Sequence, residues 1–389
     1  MTGQGVTAPA GFRAAGVAAG IKASGGLDVA LVVNDGPGDA AAGVFTRNKV
    51  KAAPVLWTRQ VLAAGRLRAV VLNSGGANAC TGPAGFQDTH ATAEHAAKAL
   101  DLGPGEIAVC STGLIGERLP MPELLSGVDA AVIALAGTCR AGLDAATAVM
   151  TTDTVPKQAA FTHPDGWTVG GFAKGAGMLA PSLATMLAVI STDAGVGRSA
   201  LDRALRAATA RTFDRLDVDG SCSTNDTVLL LDSAAVARPP EDEAFLRAVE
   251  LVCRDLARQL QADAEGVTKR ITVTVDTAAG EADALAVARA VARDSLVKTA
   301  LFGSDPNWGR IVAAAGMADA RIDPDLLEVT INSVTLCRNG YAAADRSTCD
   351  LSGADIDVRV GLNQGRATAS VLTTDLSHGY VDENSAYSS

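Results

Sequence analysis

The chain has 389 residues, of which 48% are hydrophobic and 20% charged, so it is globular and long enough for a large core. Its net charge is -10 and no basic cluster is visible, which argues against nucleic acid and anionic membranes as partners. The seven cysteines are scattered and never spaced as CxxC, which indicates neither a disulfide framework nor zinc. Without a visible signal peptide or a run of about 20 apolar residues, we expect a cytoplasmic protein.

Short apolar runs alternate with amphipathic stretches along the chain, which is typical of an α/β or α+β fold. The predicted strands lie, in chain order, at 27–33, 68–73, 167–173, 186–191, 227–232 and 271–276. The predicted helices lie at 86–100, 199–213 and 241–264. A loop and one helix are expected over 277–302, then a hairpin around Asn332-Ser333 and strands at 356–362 and 368–374. We place a domain boundary after residue 276.

Two familiar kinds of site lack the context that they need. The stretch "GAGMLA" at 175–180 matches the dinucleotide pattern GxGxxA, but Pro181 and a strand-like run follow it instead of a helix. A nucleotide-binding protein therefore stays only as an alternative. His90 and His95 lie five residues apart on a predicted helix, which does not suit a metal pair, so we expect no metal site.

Thr185 follows the small residue Ala184 and stands directly before the apolar run 186–191. A threonine hydroxyl is a weak nucleophile and needs a neighbouring base. No suitable histidine is close in sequence, whereas the α-amino group of Thr185 itself has an ordinary pKa close to neutral pH. That amine exists only if the Ala184–Thr185 bond is cut, which the threonine achieves by attacking the preceding carbonyl. We therefore predict a self-processed threonine nucleophile, with the turn at Thr112-Gly113 as the oxyanion donor.

Eight motifs occur in order along nearly the whole chain: "NSGGANACTG" (73–82), "STGLIGERLP" (111–120), "AVMTTDTVPK" (148–157), "KGAGMLAPSLATML" (174–187), "STNDT" (223–227), "AEGVTK" (264–269), "GSDPNWGR" (303–310) and "GYVDENSAYSS" (379–389). In these motifs the sequence resembles the ornithine acetyltransferases, also called glutamate N-acetyltransferases, of arginine biosynthesis. One departure is Gly76, where the family usually has Asn; it concerns the geometry of that loop.

The resemblance implies cleavage between Ala184 and Thr185 into two chains that stay together, with Thr185 as the nucleophile. It implies Thr112 and Gly113 as the oxyanion hole. The acetyl group would pass from N2-acetylornithine through Thr185 to glutamate, with no cofactor; use of acetyl-CoA as a second donor stays open. The implied substrate-binding set is Thr151, Lys174, Thr185, Glu265, Asn384 and Ser389.

The fold that the resemblance implies is an α/β/β/α sandwich similar to N-terminal-nucleophile hydrolases but differently connected. This catalytic domain would cover 1–276, and a smaller α/β domain over 277–389 would close the active site with its tail. Two copies of the cleaved pair usually associate in the family, so a dimer of heterodimers, a heterotetramer, is expected. Lys174 suits a carboxylate and Glu265 an ammonium group, while Asn384 and Ser389 suit hydrogen bonds. Without the resemblance, that polar tail would be taken for a frayed terminus.

Two alternatives remain beside the acetyltransferase. A self-processed threonine amidohydrolase or aminopeptidase would release acetate or an amino acid without needing glutamate. A nucleotide-binding or other ligand-binding protein would stay as one uncut chain.

Overall fold

The computed structural model describes residues 5–179, 186–236 and 239–386, and these form two compact units. Within the described residues, unit 1 comprises 5–214 and 221–260, and unit 2 comprises 215–220 and 261–386, apart from the gaps just given. Unit 2 holds the segment 215–220 because the N–H of Asp217 donates to the carbonyl of Leu372 at 2.8 Å. The Lys298 ammonium donates to the carbonyl of Val218 at 2.8 Å as well.

Unit 1 contains two mixed sheets in its described part. The first has the strand order β1-β2-β4-β5 and the second has the order β3-β9-β8-β7-β6. In each sheet one pair is parallel, β4 with β5 and β8 with β9. The strands are β1 Phe12–Val17, β2 Val29–Asn34, β3 Ala41–Phe45, β4 Ala69–Ser74, β5 Ile107–Thr112, β6 Lys157–Thr162, β7 Thr168–Lys174, β8 Leu187–Thr192 and β9 Thr227–Asp232.

The two sheets share one hydrophobic core. Leu31, Leu72 and Val109 of the first sheet belong to the same buried cluster as Val189 and Leu229 of the second. Strands β2, β4, β5, β8 and β9 are buried at every residue. Because both faces are covered, these strands have continuous apolar runs instead of an alternating pattern, which made them recognisable in the sequence.

Helices cover the outer faces of both sheets. Helices α2 and α3 contact the first sheet, and α5 contacts β3 of the second. Gln259 of α6 exchanges two hydrogen bonds with the backbone of Gln158 in β6. The predicted α/β/β/α sandwich is therefore confirmed. The helices of unit 1 that the structure describes are α1 Ala53–Leu62, α2 Gly82–Leu100, α3 Met121–Ala134, α4 Cys139–Ala148, α5 Arg198–Arg211 and α6 Asp242–Ala262.

Unit 2 is one mixed sheet with helices. Its strand order is β13-β12-β11-β14-β10-β15, and α7 packs on β10 and β15. The predicted hairpin is confirmed, with positive φ at both turn residues, Asn332 (43°) and Ser333 (71°). The elements are β10 Arg270–Ala278, α7 Glu281–Arg293, α8 Ser295–Phe302, α9 Trp308–Ala315, β11 Glu328–Ile331, β12 Val334–Arg338, β13 Tyr341–Ala342, β14 Asp355–Gly361, β15 Ala367–Thr374 and α10 His378–Ala386.

Two features of unit 2 differ from expectation. The single helix expected over 277–302 is two helices, because the Asp294 side chain accepts the N–H of Val297 and starts α8. The units divide after Leu260, earlier than the boundary predicted after residue 276, because β10 lies between β14 and β15 in the sheet of unit 2. No helix in the part of the chain that the structure describes is long and apolar enough to cross a membrane.

Candidate active site

Three of the predicted site residues meet where strands of the two sheets end. Lys174 is the last residue of β7, and its side chain is only 2% exposed. Its Nζ donates to Thr151 Oγ1 at 2.8 Å and to Thr112 Oγ1 at 3.2 Å. Thr112 is the last residue of β5 in the first sheet. A buried cation therefore bonds two hydroxyl oxygens at the strand ends.

A buried ion pair between Asp153 and Lys157 supports this cluster. Asp153 Oδ1 accepts hydrogen bonds from Lys157 Nζ and from the N–H of Gly175, both at 2.7 Å. Its Oδ2 accepts the N–H of Thr151 at 3.1 Å and lies 3.8 Å from Lys174 Nζ. Burial by itself raises the pKa of Asp153, but the charges of Lys174 and Lys157 outweigh it and lower the pKa to about 2. Asp153 thus orients Thr151 and partly neutralises two buried lysines.

Thr112 and Gly113 each have a hydrogen-bond donor that no residue in the described part of the chain accepts from. The Thr112 hydroxyl oxygen accepts from Lys174, and its own O–H donates to no described residue. The Gly113 N–H has no acceptor in that part of the chain either. Gly113 has φ of +133°, and a Cβ there would lie 2.5 Å from the Gly76 nitrogen, so only glycine fits. Free donors beside a buried cation suit an anionic oxygen.

Gly76 tolerates a side chain better than Gly113 does. Its N–H donates to the Thr112 carbonyl at 3.0 Å, which fixes the loop against the end of β5. A Cβ at Gly76 would meet only the Leu119 Cδ2 atom, at 2.7 Å, which is the far end of a flexible side chain. A side chain at position 76 would therefore require only a shift of the Leu119 side chain.

Asn225 in the "STNDT" motif connects the second sheet to the first. Its Nδ2 donates to the carbonyls of Ala77, at 2.6 Å, and Ser111, at 2.8 Å. Asn225 is buried, and it precedes β9 by two residues. It thus holds the loop before β9 against the residue next to Thr112.

Glu265 and Asn384 meet in unit 2. Asn384 Nδ2 donates to Glu265 Oε2 at 2.9 Å, and Asn384 lies on α10. Gly266 has φ of +61°, and a Cβ there would lie 2.0 Å from the Tyr380 nitrogen, so the backbones approach closely. The tail is therefore helical through Ala386 instead of frayed, while its predicted closing of the active site stays a prediction.

The remaining predicted residues lie outside the described part of the chain. They are Ala184, Thr185 and Ser389. Sequence reasoning also missed Asp153, Lys157 and Asn225, although each lies inside a motif that carried the resemblance. The signal for Asp153 and Lys157 was an acid and a lysine four residues apart within the motif "AVMTTDTVPK". Among the residues that the structure describes, no group of three or more His, Cys, Asp or Glu forms a metal site.

The dinucleotide interpretation of "GAGMLA" is wrong. This segment joins β7 to β8, and the two strands pair antiparallel as direct neighbours. A dinucleotide site needs a strand, a helix and a parallel strand.

Two facing sheets between helices, with a buried lysine and threonine hydroxyls at the strand ends, define an enzyme of the α/β/β/α class. The ArgJ family model matches residues 13–389, so the chain belongs to the ArgJ family, as the motifs predicted. The arginine biosynthesis bifunctional protein ArgJ of Mycobacterium tuberculosis is 66% identical over 394 residues, covering 100% of this chain and 98% of that protein. The protein of that name from Thermobifida fusca is 59% identical over 383 residues, covering 98% and 99%.

Solved structures of similar proteins include ornithine acetyltransferase complexed with ornithine, from Mycobacterium tuberculosis. It is 71% identical with a TM-score of 0.47, covering 47% of this chain and 98% of that chain. ArgJ from Bacillus halodurans is 36% identical with a TM-score of 0.44, covering 46% and 95%.

Proposed function

We propose that this protein moves the acetyl group of N2-acetylornithine to glutamate through an acetyl ester on Thr185. Thr185 Oγ attacks the acetyl carbonyl, its proton passes to the leaving N2 nitrogen, and ornithine departs. The amine of glutamate then attacks the ester, the ester C–O bond breaks, and the proton returns to Thr185 Oγ. The products are ornithine and N-acetylglutamate, and no cofactor takes part.

The base in this proposal is the α-amine of Thr185, formed when the chain cuts itself between Ala184 and Thr185. The amine accepts the hydroxyl proton and delivers it to the leaving nitrogen. Both steps pass through a tetrahedral oxyanion, which the Thr112 O–H and the Gly113 N–H would stabilise.

The observation that carries the proposal is the contact of Lys174 Nζ with Thr112 Oγ1 at 3.2 Å. A hydroxyl that accepts from an ammonium group is polarised and becomes a better donor. Because the site is buried, its dipoles are fixed before the reaction starts. A cation beside two unused donors supports oxyanion stabilisation.

The proposed substrate-binding set is Thr151, Lys174, Thr185, Glu265, Asn384 and Ser389. Lys174 already bonds two hydroxyl oxygens, so we assign its charge mainly to Thr112 and Thr151 and only secondarily to a substrate carboxylate. Asn384 occupies Glu265 Oε2, and Oε1 accepts no hydrogen bond from a described residue, which leaves it for a substrate ammonium group.

We also propose that acetyl-CoA serves as a second acetyl donor. The relatives' names call those proteins bifunctional. In this proposal the Thr185 hydroxyl takes its acetyl group from the thioester of acetyl-CoA in the same way as from N2-acetylornithine. The test is to supply acetyl-CoA and glutamate: we expect N-acetylglutamate and free CoA from the wild type and neither from Thr185→Ala. Synthesis by Thr185→Ala would contradict a shared nucleophile.

The assembly proposed is a dimer of heterodimers in the cytoplasm, each heterodimer formed by residues 1–184 and 185–389. Native mass spectrometry tests this assembly. We expect the mass of two copies of each chain under native conditions, and the two separate chains only after denaturation.

Intact mass under denaturing conditions tests the proposed nucleophile. We expect two chains from the wild type and one from Thr185→Ala. With N2-acetylornithine alone, the chain that begins at Thr185 should gain one acetyl group, and added glutamate should remove it as N-acetylglutamate. An uncut wild type that still transfers acetyl groups would refute the proposal. Acetate release at the same rate without glutamate would favour the amidohydrolase instead.

A further inference from the structure

The carboxyl group of Asp226 is buried against the start of β8. Asp226 is 0% exposed, and its Oδ1 accepts the N–H of Met186 at 3.1 Å. The carbonyl of Met186 accepts the N–H of Thr227 at 3.0 Å, so both polar backbone groups of Met186 are bonded. Met186 follows Thr185 directly in the chain. Asp226 therefore fixes the backbone of Met186, the residue before β8.

The surroundings of Asp226 disfavour ionisation of its carboxyl group. The titratable side chain that faces it is Cys222, whose Sγ lies 3.6 Å from Oδ2 and 3.3 Å from Thr46 Oγ1. No described lysine, arginine or histidine forms an ion pair with it. Burial first, and then the Cys222 thiol, raises the pKa of Asp226 well above its usual range. The Oδ1 atom that accepts the Met186 N–H is thus a buried acceptor in surroundings that disfavour a charge.

We propose that Asp226 is a positioning residue for the nucleophile: its buried carboxyl group anchors the backbone of Met186, the residue directly after Thr185. The inference rests on the proposed function, in which Thr185 is the nucleophile and its amine is the base. Anchoring matters because a small displacement of a nucleophile lowers the rate steeply.

Two variants of Asp226 separate the hydrogen-bond acceptor of its side chain from its acidic proton. D226N keeps an uncharged carbonyl oxygen for the Met186 N–H, whereas D226A removes the acceptor. We expect D226A to slow self-cleavage and to lower kcat of the cut protein about 100-fold, the scale of a nucleophile displaced by about 1 Å. KM for N2-acetylornithine should change less than about threefold, because substrate binding is untouched. D226N should restore kcat to within about threefold of the wild type, with the acid limb of its pH profile unshifted.

Asp232 provides a matched control at the other end of β9. It is buried as well, and it accepts the N–H groups of Val196, at 2.6 Å, and Gly195, at 3.1 Å. D232A removes comparable backbone hydrogen bonds far from Met186 in sequence, so it should lower stability while the cut, folded protein keeps its kcat. Equal loss of kcat in D232A and D226A would reduce Asp226 to a merely structural role and overturn the inference.

The outcomes distinguish this inference from the proposed function. If Thr185→Ala is still cut and active, the proposed function fails whatever Asp226 does. If Thr185→Ala is inactive but D226A keeps the wild-type kcat, only the anchoring role fails. A folded D226N that loses more than about tenfold in kcat would show that an acceptor for the Met186 N–H does not suffice, and it would overturn the anchoring role.

Discussion

The Lys174 Nζ atom lies 3.2 Å from Thr112 Oγ1 and joins the end of β7 in one sheet to the end of β5 in the other. Because lysine only donates hydrogen bonds, Thr112 must accept, and its hydroxyl proton is left for another acceptor. The contact thus sets the direction of the Thr112 hydroxyl as well as its position. Lys174, which the sequence predicts to bind a substrate carboxylate, also polarises the hydroxyl group that we propose to hold the oxyanion.

Replacing Lys174 with methionine should impair the chemical step more than binding. K174M keeps the length of the side chain but removes its charge, so Thr112 loses its polarising partner. We expect kcat to fall about 100-fold, the lower end of losses seen when one oxyanion donor is removed. KM for N2-acetylornithine should change less than about fivefold. Steady-state kinetics of the purified, cut variant measure both.

Lys157 supplies the matched control, since it is also buried and also pairs with Asp153. K157M should lower stability but leave kcat closer to the wild type, because Lys157 does not contact Thr112 in the hydrogen bonds observed. If K174M instead raised KM strongly and left kcat unchanged, Lys174 would bind a substrate carboxylate, as first expected.

Adding one methyl group at each of two neighbouring glycines should have opposite consequences. G113A forces an L-residue to φ of +133° and places a Cβ 2.5 Å from the Gly76 nitrogen. Strain and overpacking together should lower the free energy of unfolding by about 3 kcal/mol. G76A meets only the end of Leu119 and should cost about 1 kcal/mol or less. Urea unfolding compares the two.

The glycine pair also has an activity readout. G113A should lower kcat more than G76A, because moving the Gly113 N–H misplaces a proposed oxyanion donor. A G76A variant as damaged as G113A would mean that the loop at Gly76 needs glycine for a reason other than steric room.

The sequence predicted the strands of this fold where burial leaves an unambiguous pattern. Strands β8 and β9 are buried on both faces, and their apolar runs stand out. Strand β1, with the sequence FRAAGV, was missed because its alanines and glycine carry little periodic signal. Helix α4 was missed for the same reason: its buried face is built of small residues.

The nucleophile and the oxyanion turn at Thr112-Gly113 were predicted from the residues themselves, whereas the substrate-binding residues were named only by the motif resemblance. Thr112, Thr151 and Lys174 are far apart in sequence, and the closing of two sheets on each other brings them together. The buried ion pair of Asp153 with Lys157 had no such guide, because local sequence does not reveal whether a charged residue is buried. The requirement for glycine at 113 follows from its contact with Gly76, which is a tertiary relationship.

The Asp153 carboxylate should make stability depend on pH in the acid range. Its folded pKa, about 2, lies below the usual value, so its contribution is present above about pH 4 and is lost as pH falls through the folded value. This loss should amount to about 2 kcal/mol in the wild type. D153N lacks it and should lose about 3–5 kcal/mol at neutral pH, because two buried lysines lose their counter-charge.

Unfolding in urea between about pH 5 and pH 2 measures this dependence. The curves of wild type and D153N should converge as the pH falls. Parallel curves would show that Asp153 keeps an ordinary pKa in the folded protein.

Asp217 in unit 2 should have the opposite effect, between about pH 4 and pH 6. Its side chain is 0% exposed; Oδ2 accepts from Arg293 Nε at 2.7 Å, and Oδ1 has no described partner. Burial raises the pKa of Asp217 to about 6 despite the charge of Arg293. Because the folded pKa exceeds the unfolded one, stability should fall by about 3 kcal/mol as pH rises from about 4, near the unfolded pKa, to the folded pKa of about 6. D217N should lack this fall, as measured by urea unfolding between about pH 4 and pH 7. D355N is the matched control: Asp355 is exposed and its pKa is lowered, so its titration lies below that range and the fall should persist. If stability falls equally in D217N, the fall in the wild type comes from titratable groups other than Asp217.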